Sequence, residues 1–291
     1  MLLYTNIDLL DQIFSTFVRT DILKLRKPHM TIKTRNNIIL LGLTLIVILF
    51  AAFLISVFLI FQRVSIFSTS VLQDIDLTAV LISLLSELLF CLASVIIFYF
   101  SFRKTTSPEI FFFIIFLIAM AFDALKSSQA LFTILNLSPY YGVLLTRTIY
   151  FGRFAGTLSI LASGIFLHGA EYQRMEIYLG IVLLLSFALS AAIPIDITAV
   201  DNNLLFTVGN SRELGIISVL FLTFGVLNHV LYGIQNSNKD YGLMALGLTL
   251  VVIGREILFF KSGSIALITA FLLLIGGATL YGERTHEVRL W

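Results

Sequence analysis

The sequence predicts an all-α protein, a polytopic transmembrane helix bundle of about eight spans. Of its 291 residues, 58% are hydrophobic and only 12% are charged, and the mean hydropathy is +1.00, as in multi-pass membrane proteins. Eight segments each contain the roughly 20 apolar residues that cross a bilayer. The prolines lie outside these segments or at their ends, where helices stop: Pro28, Pro108, Pro139 and Pro194.

The eight segments divide the chain into three regions. The spans are expected at approximately 37–61, 78–102, 109–137, 140–168, 175–194, 213–235, 241–260 and 264–282. Before them, residues 1–36 form an amphipathic and basic cytoplasmic segment, and after them residues 283–291 form a short cytoplasmic tail. The last two spans are joined by a very short loop around Lys261. Counting them as one re-entrant element would leave seven spans and an outside C-terminus. Proline interrupts no span internally, which argues against a transporter built on unwound helices.

Basic residues predict the orientation, because lysine and arginine accumulate on the cytoplasmic side of a membrane. With a cytoplasmic N-terminus, the inner segments contain twelve basic residues and the outer loops only three, Arg63, Arg212 and Lys261. This bias and the even number of spans place both termini in the cytoplasm. They predict a multi-pass protein of the cell (cytoplasmic or inner) membrane, in contact with membrane lipids.

The N-terminal segment contains a helical stripe of apolar residues between Ile7 and Leu25, followed by a basic cluster that ends at Arg35. One interpretation is an interfacial helix that anionic lipid head groups hold at the membrane. The other is a docking helix, through residues 7–35, for a cytoplasmic or membrane protein partner. The sequence contains no basic stripe with interleaved aromatic residues, so no nucleic-acid partner is expected.

The stretch from Pro108 to Gly169 organises the rest of the chain. It consists of two long apolar segments that meet at the turn around Ser138, yet it contains several ionisable residues. Such residues are costly at membrane depth and usually face the protein interior, where they find partners. Together with charges in the second and seventh spans, they form the candidate ligand-binding set: Glu87, Asp123, Lys126, Arg147, Arg153, Arg255 and Glu256.

Depth in the membrane, counted from the turns at about 1.5 Å per residue, suggests how these groups pair. Asp123 and Arg153 each lie 15 residues from Ser138, so antiparallel helices bring them to the same level. Glu87 and Arg147 also match in depth. Lys126 lies one turn from Asp123 on the same helix face and can pair with it.

The candidate set contains four basic and three acidic residues. A buried set is expected to neutralise itself, and the arginine fork suits carboxylate and phosphate groups. The surplus positive charge therefore predicts an outward-opening pocket for an anionic ligand or lipid head group. The alternative is a purely structural ion-pair network. The first, fifth and eighth spans carry no formal charge in their apolar parts and are expected to face lipid.

Glycines beside the charges predict close helix packing. Gly152 and Gly156 flank Arg153, and Gly276 and Gly277 lie in the eighth span. Packing within the chain is the expected reason for both pairs. The outer loop from Ile195 to Glu213 has an apolar middle that either caps a cavity or rests on the membrane interface.

No catalytic residue, metal or cofactor is predicted. The chain lacks the common hydrolase, phosphate-binding and dinucleotide-binding motifs, and His168 and His229 lack the spacing of metal ligands. The function expected is therefore a receptor-like sensor or accessory subunit that binds an anionic ligand or lipid head group. A small transporter of an anion or lipid, and an intramembrane lipid-modifying enzyme, are the alternatives.

Overall fold

A computed structural model describes residues 30–64, 77–105, 107–168, 174–200, 204–209, 211–260 and 264–290. These residues form a bundle of helices with one small β-hairpin. The elements in chain order are α1 (Ile32–Val64), α2 (Leu77–Phe102), α3 (Pro108–Met120), a 3₁₀ turn (Ala121–Leu125), α4 (Lys126–Ile134), α5 (Pro139–Leu167), α6 (Met175–Ala192), β1 (Ile195–Val200), β2 (Phe206–Val208), α7 (Ser211–Gln235), α8 (Lys239–Phe260) and α9 (Ser264–Leu290).

Eight of the described helical segments are long and apolar enough to cross a membrane, and this confirms the predicted all-α polytopic bundle. The two segments that precede and follow Lys261 are separate full-length spans, so the seven-span alternative is wrong. The third span is continuous but not uniform, because α3 and α4 are joined by the 3₁₀ turn. The final helix continues to Leu290 and includes most of the segment that was expected to be a tail.

The predicted central stretch is the centre of the bundle. In the most apolar part of the third and fourth spans, 89% and 83% of residues are buried. The corresponding figure is 22–28% for the first, fifth, sixth and eighth spans, whose apolar side chains face outward. A helix that is apolar on all sides suits the interior, as in α3, where every residue is buried. The expected peripheral position of the first, fifth and eighth spans is therefore confirmed, and the sixth span is peripheral as well.

Glycines allow the central helices to pack backbone against backbone. A Cβ atom on Gly152 would lie 2.8 Å from the carbonyl oxygen of Ala119, in the third span. A Cβ on Gly277 would lie 2.6 Å from the carbonyl oxygen of Gly247, so α8 and α9 meet at this point. The expected packing within the chain is confirmed at Gly152 and Gly277. Gly276 has open space beside it and plays no such part.

The long loop after α6 forms an antiparallel hairpin in which Ile195 pairs with Val208. Leu204 and Leu205, in its middle, are each 1% exposed and pack into two different apolar clusters of the bundle. Leu204 adopts a left-handed backbone conformation (φ 64°), which costs about 1–2 kcal/mol for a residue other than glycine. Burial of its side chain offsets that cost, so the loop caps this end of the bundle. We call it the hairpin end, and the opposite end, where α1 begins and α9 finishes, the terminal end.

The predicted amphipathic helix over residues 7–25 lies outside the described residues. Arg35, expected in the basic N-terminal segment, lies instead within α1 and is 5% exposed. Its guanidinium donates hydrogen bonds to the carbonyl oxygens of Thr105 and, at 3.0 Å, of Phe102. The Phe102 carbonyl ends α2, where helical partners run out, and Thr105 lies three residues beyond it. Arg35 therefore fastens the start of α1 to the end of α2.

Candidate functional site

Six of the seven predicted site residues meet between the second, third, fourth and seventh spans, towards the hairpin end. The contacts that connect them run through ion pairs, a shared aromatic ring and electrostatic interactions within the bundle. We call this group the charged cluster: Glu87, Asp123, Lys126, Arg153, Arg255 and Glu256. The four spans named from the sequence are the ones that supply it.

The partner of Arg153 differs from the one expected. Its Nη2 atom donates a hydrogen bond of 2.7 Å to Glu256 Oε2 on α8, whereas depth counting had matched it with Asp123. Asp123 instead lies 3.8 Å from the Nζ atom of Lys126, as the helical spacing predicted. Helices at equal depth meet only through the faces that they turn towards each other, and α5 turns Arg153 towards α8.

Phe259 organises the basic side of the cluster. The Lys126 ammonium lies 3.9 Å from the centre of its ring, and the Arg153 guanidinium carbon lies 4.3 Å from it. Arg153 also lies over the ring of Phe260, at 4.4 Å. The electron-rich faces of aromatic rings attract cations, most strongly where water is excluded. Phe259 and Leu205 of the hairpin loop belong to one group of packed apolar side chains, so the loop covers the charged cluster on this side.

Arg255, Glu87 and Asp123 are buried together in the cluster. Arg255 is 1% exposed, and none of its three guanidinium nitrogens makes a hydrogen bond to a residue that the structure describes. The carboxylate oxygens of Glu87 and Asp123 also meet no N–H or O–H donor among the described residues, but the two carboxyl groups lie close enough to share a hydrogen bond when one of them carries a proton. Glu87 interacts electrostatically with Asp123, Lys126 and Arg255, so these groups surround one region. Buried polar groups without partners are costly, and waters or a bound group normally satisfy them.

A glycine, an aromatic ring and a carboxylate lie around the guanidinium of Arg255. Gly156 faces Arg255, where a Cβ would lie 3.8 Å from the guanidinium carbon. The ring centre of Phe116 lies 5.7 Å from the guanidinium carbon of Arg255, between that group and the terminal end. The nearest carboxylate oxygen that pairs with Arg255 is Glu256 Oε1, at 3.6 Å, too long for a hydrogen bond.

Arg147 does not join the cluster. Its side chain is exposed on the outer surface of α5. It is six residues from Arg153, which turns it about 240° around the helix axis at 3.6 residues per turn. The charged cluster consequently contains three basic and three acidic residues, of which Glu256 is partly exposed, and the surplus positive charge expected from the sequence is absent from these six.

The 3₁₀ turn places Asp123. This turn interrupts the third span at Ala121–Leu125, and Asp123 is fully buried within it. A 3₁₀ segment inside a long helix is wound more tightly than its flanks and often marks a functional or strained position. The turn contains no proline, so the absence of proline within the spans did not predict a uniform helix here.

Sequence reasoning missed a second buried polar layer nearer the terminal end. Glu109 is fully buried in the first turn of α3, where its position beside Pro108 suggested a span boundary. Its main-chain oxygen accepts hydrogen bonds from Ser163 Oγ (3.3 Å) and Tyr281 Oη (3.4 Å). His229 Nδ1 donates a hydrogen bond of 2.9 Å to the carbonyl oxygen of Gly225, and its Nε2 atom lies 3.5 Å from Ser163 Oγ. The layer joins α3, α5, α7 and α9.

Within the described part of the chain, no group of three or more His, Cys, Asp or Glu side chains is arranged to hold a metal ion. Compared with known proteins, the chain matches no family model and shows no significant match to a curated protein sequence.

Proposed function

We propose that this multi-pass membrane protein is a receptor-like or accessory subunit that binds an anion, or an anionic lipid head group, at the charged cluster. The observation that supports it is the buried guanidinium of Arg255, whose three nitrogens have no hydrogen-bond partner among the described residues. The planar guanidinium fork matches the oxygens of a carboxylate or a phosphate, and such bonds are the strong ones. Lys126 and Arg153 supply further positive charge beside it.

The balance of charge in the cluster adds a condition to this proposal. Three basic and three acidic groups cancel formally, so a bound anion leaves the charged cluster with a net negative charge unless a proton accompanies it. Uncompensated buried charge is very costly. The carboxyl group of Glu87 is the expected acceptor of that proton, since it faces the carboxyl group of Asp123 and is fully enclosed by the cluster. Binding is therefore expected to become tighter as the pH falls.

Access is proposed from the hairpin end. Glu256 is the most exposed member of the cluster, its side chain being 23% accessible, whereas Arg153 beside it is 5% accessible. With both termini in the cytoplasm, as the distribution of basic residues predicts, the hairpin end faces outward. An external ligand would then reach the cluster past Glu256. The N-terminal segment, residues 7–35, is the proposed contact for a partner on the cytoplasmic side.

The second buried polar layer favours transport of an anion or lipid as the alternative function. Glu109 and Asp123 are separated by 14 residues of the third span, or about 20 Å of helix. A transported solute would have to cross this distance, from the level of one residue to the level of the other. The side chains that intervene include Phe113, Phe116 and Met120, all fully buried. Transport would require this aromatic layer to move, whereas reception would not.

The test compares native mass spectra of the gently solubilised protein and its variants. Arg255→Gln is expected to lose a bound anion that the wild type retains. Arg147→Gln is the matched control, because it removes an exposed arginine from the neighbouring helix, and it should keep the anion. Arg255→Gln combined with Glu87→Gln restores the balance of charge without restoring the guanidinium, so it should recover stability but not the ligand. An unliganded wild type, with the double variant as stable as the wild type, would instead identify a structural ion-pair network.

A further inference from the structure

A groove separates α2 from α9 on the surface of the bundle, with a volume of about 690 Å³. Ligand sites commonly enclose about 300–1,000 Å³. The groove begins at Leu89, two residues beyond Glu87 on α2, and runs from there towards the terminal end without including a residue of the charged cluster. Its lining consists of Leu89, Phe90, Ala93, Ser94, Ile97, Phe98, Ser101 and Phe102 on α2 and Phe271, Ile275, Ala278, Thr279, Gly282, Glu283, His286 and Glu287 on α9.

The groove exists because α9 is drawn towards α8. At Gly277 a Cβ would lie 2.6 Å from the carbonyl oxygen of Gly247, and at Gly254 it would lie 2.9 Å from that of Ala270. These close approaches hold the two helices together along their length. On its other side α9 lines the groove with small residues, among them Ala278 and Gly282, and a Cβ on Gly282 would lie 3.2 Å from the ring of Phe98 on α2.

The walls of the groove suit a hydrocarbon chain. Its floor is formed by buried side chains, of which Phe90 is 6% and Phe98 is 5% exposed. Its rim is apolar and open, with Leu89 46% and Ile97 62% exposed. Both helices are spans, so the medium beside this rim is the acyl-chain region of the bilayer. A lipid tail can enter sideways from that medium without leaving an apolar environment.

The ionisable residues that line the groove all lie at one end. Glu283, His286 and Glu287 are in the last turns of α9, next to the point where α2 finishes at Phe102. This end of the groove is therefore at the membrane–water interface, where a lipid head group resides. The lining includes two carboxylates and no lysine or arginine. Glu287 is bonded to Arg284, and Glu283 is exposed beside it.

We propose that this groove binds a membrane phospholipid whose head group carries a primary amine. One acyl chain lies along the apolar walls between α2 and α9, and the ammonium group contacts Glu283. An anionic head group is disfavoured, because it would meet the exposed carboxylate of Glu283, while Arg284 beside it is engaged by Glu287 and Asp240. The site is separate from the charged cluster and does not depend on the function proposed for it.

The experiment measures which lipids remain bound when the protein leaves membranes of defined composition. The protein is reconstituted into vesicles of phosphatidylethanolamine, phosphatidylglycerol and phosphatidylcholine in equal amounts, solubilised gently and examined by native mass spectrometry. Phosphatidylethanolamine is expected to be enriched about fivefold over the other two, the effect of one exposed ion pair. Equal retention of the three lipids, or preference for phosphatidylglycerol, would refute the proposal.

Two variants locate the site. Glu283→Gln should abolish the preference among lipids while the amount of bound lipid stays the same, and Glu176→Gln, at the same end on α6, should change neither. Thr279→Trp fills the groove from its exposed rim and should reduce bound lipid, whereas Ala51→Trp, on the exposed face of α1, should not. A dimer that Thr279→Trp dissociates would show that a second copy of the chain occupies the groove, and the lipid proposal would then be wrong.

Discussion

The contact between Arg153 and Glu256 gives the most decisive test of the charged cluster. Arg153→Met removes a guanidinium that donates a 2.7 Å hydrogen bond to Glu256 and lies over the rings of Phe259 and Phe260. Breaking a buried pair by removing one partner costs about 3–5 kcal/mol. The side chain of Glu256 is 23% accessible, so partial solvation of the carboxylate left behind places the expected loss near the lower limit. A loss of about 3 kcal/mol changes the unfolding equilibrium more than a hundredfold.

The assay is unfolding of the purified protein in mixed micelles, titrated with dodecyl sulfate. Arg153→Met, Glu256→Gln and the double variant form a cycle whose coupling energy isolates the pair. Interhelical hydrogen bonds in membranes reach about 1.7 kcal/mol, and a short charged bond should lie near that maximum.

A second cycle, with Asp123→Asn in place of Glu256→Gln, is the control. Its coupling should be smaller, because the ion pair that Asp123 makes in the described part of the chain is with Lys126. Coupling of Arg153 to Asp123 that equals or exceeds its coupling to Glu256 would refute the arrangement of the charged cluster.

Three further predictions concern packing, the hairpin and the ligand. Gly277→Leu should destabilise the protein by about 1–3 kcal/mol or more, since its side chain would meet the backbone of α8. Gly276→Leu is the control in the same unfolding assay and should be nearly neutral, because there is open space beside Gly276. Leu204→Ala should cost about 2–4 kcal/mol by emptying a packed site, and a loss below 1 kcal/mol would show that the loop does not cap the bundle. Anion binding, followed by native mass spectrometry between pH 8 and pH 5, should strengthen as the pH falls, and binding that is independent of pH would contradict uptake of a proton with the anion.

Much of the architecture follows from the sequence because membrane insertion is decided locally. A span forms where the free energy of transferring about 20 consecutive apolar residues into hydrocarbon is favourable. This free energy is a sum over the segment's own residues and does not depend on the helices that later pack against it. The eight spans and their approximate limits were predicted on that basis. The central position of residues 108–167 was predicted for a related reason. Charges such as Asp123 and Arg153 cannot face lipid, so the helices that contain them must face protein.

Which charges contact each other was decided only by the tertiary structure. Counting residues from a turn gives the depth of a side chain along the helix axis, but not the direction in which it points. Arg153 faces α8 and pairs with Glu256, while Arg147 on the same helix faces outward. The rotation of each helix about its axis is set by packing at positions such as Gly152, where the bulk of many residues acts together.

The groove and the second polar layer could not be predicted from the sequence either. Arg35 was assigned to the N-terminal segment before the first span and Glu109 to the first residue of the third span, where charged residues are usually solvated, yet both are buried. The groove between α2 and α9 arises from the distance between two helices that are far apart in the chain. The sequence alone therefore determined which segments enter the membrane, because hydrophobic transfer is local. The tertiary structure decided which side chains meet there, because helix rotation and spacing depend on all the contacts of the bundle together.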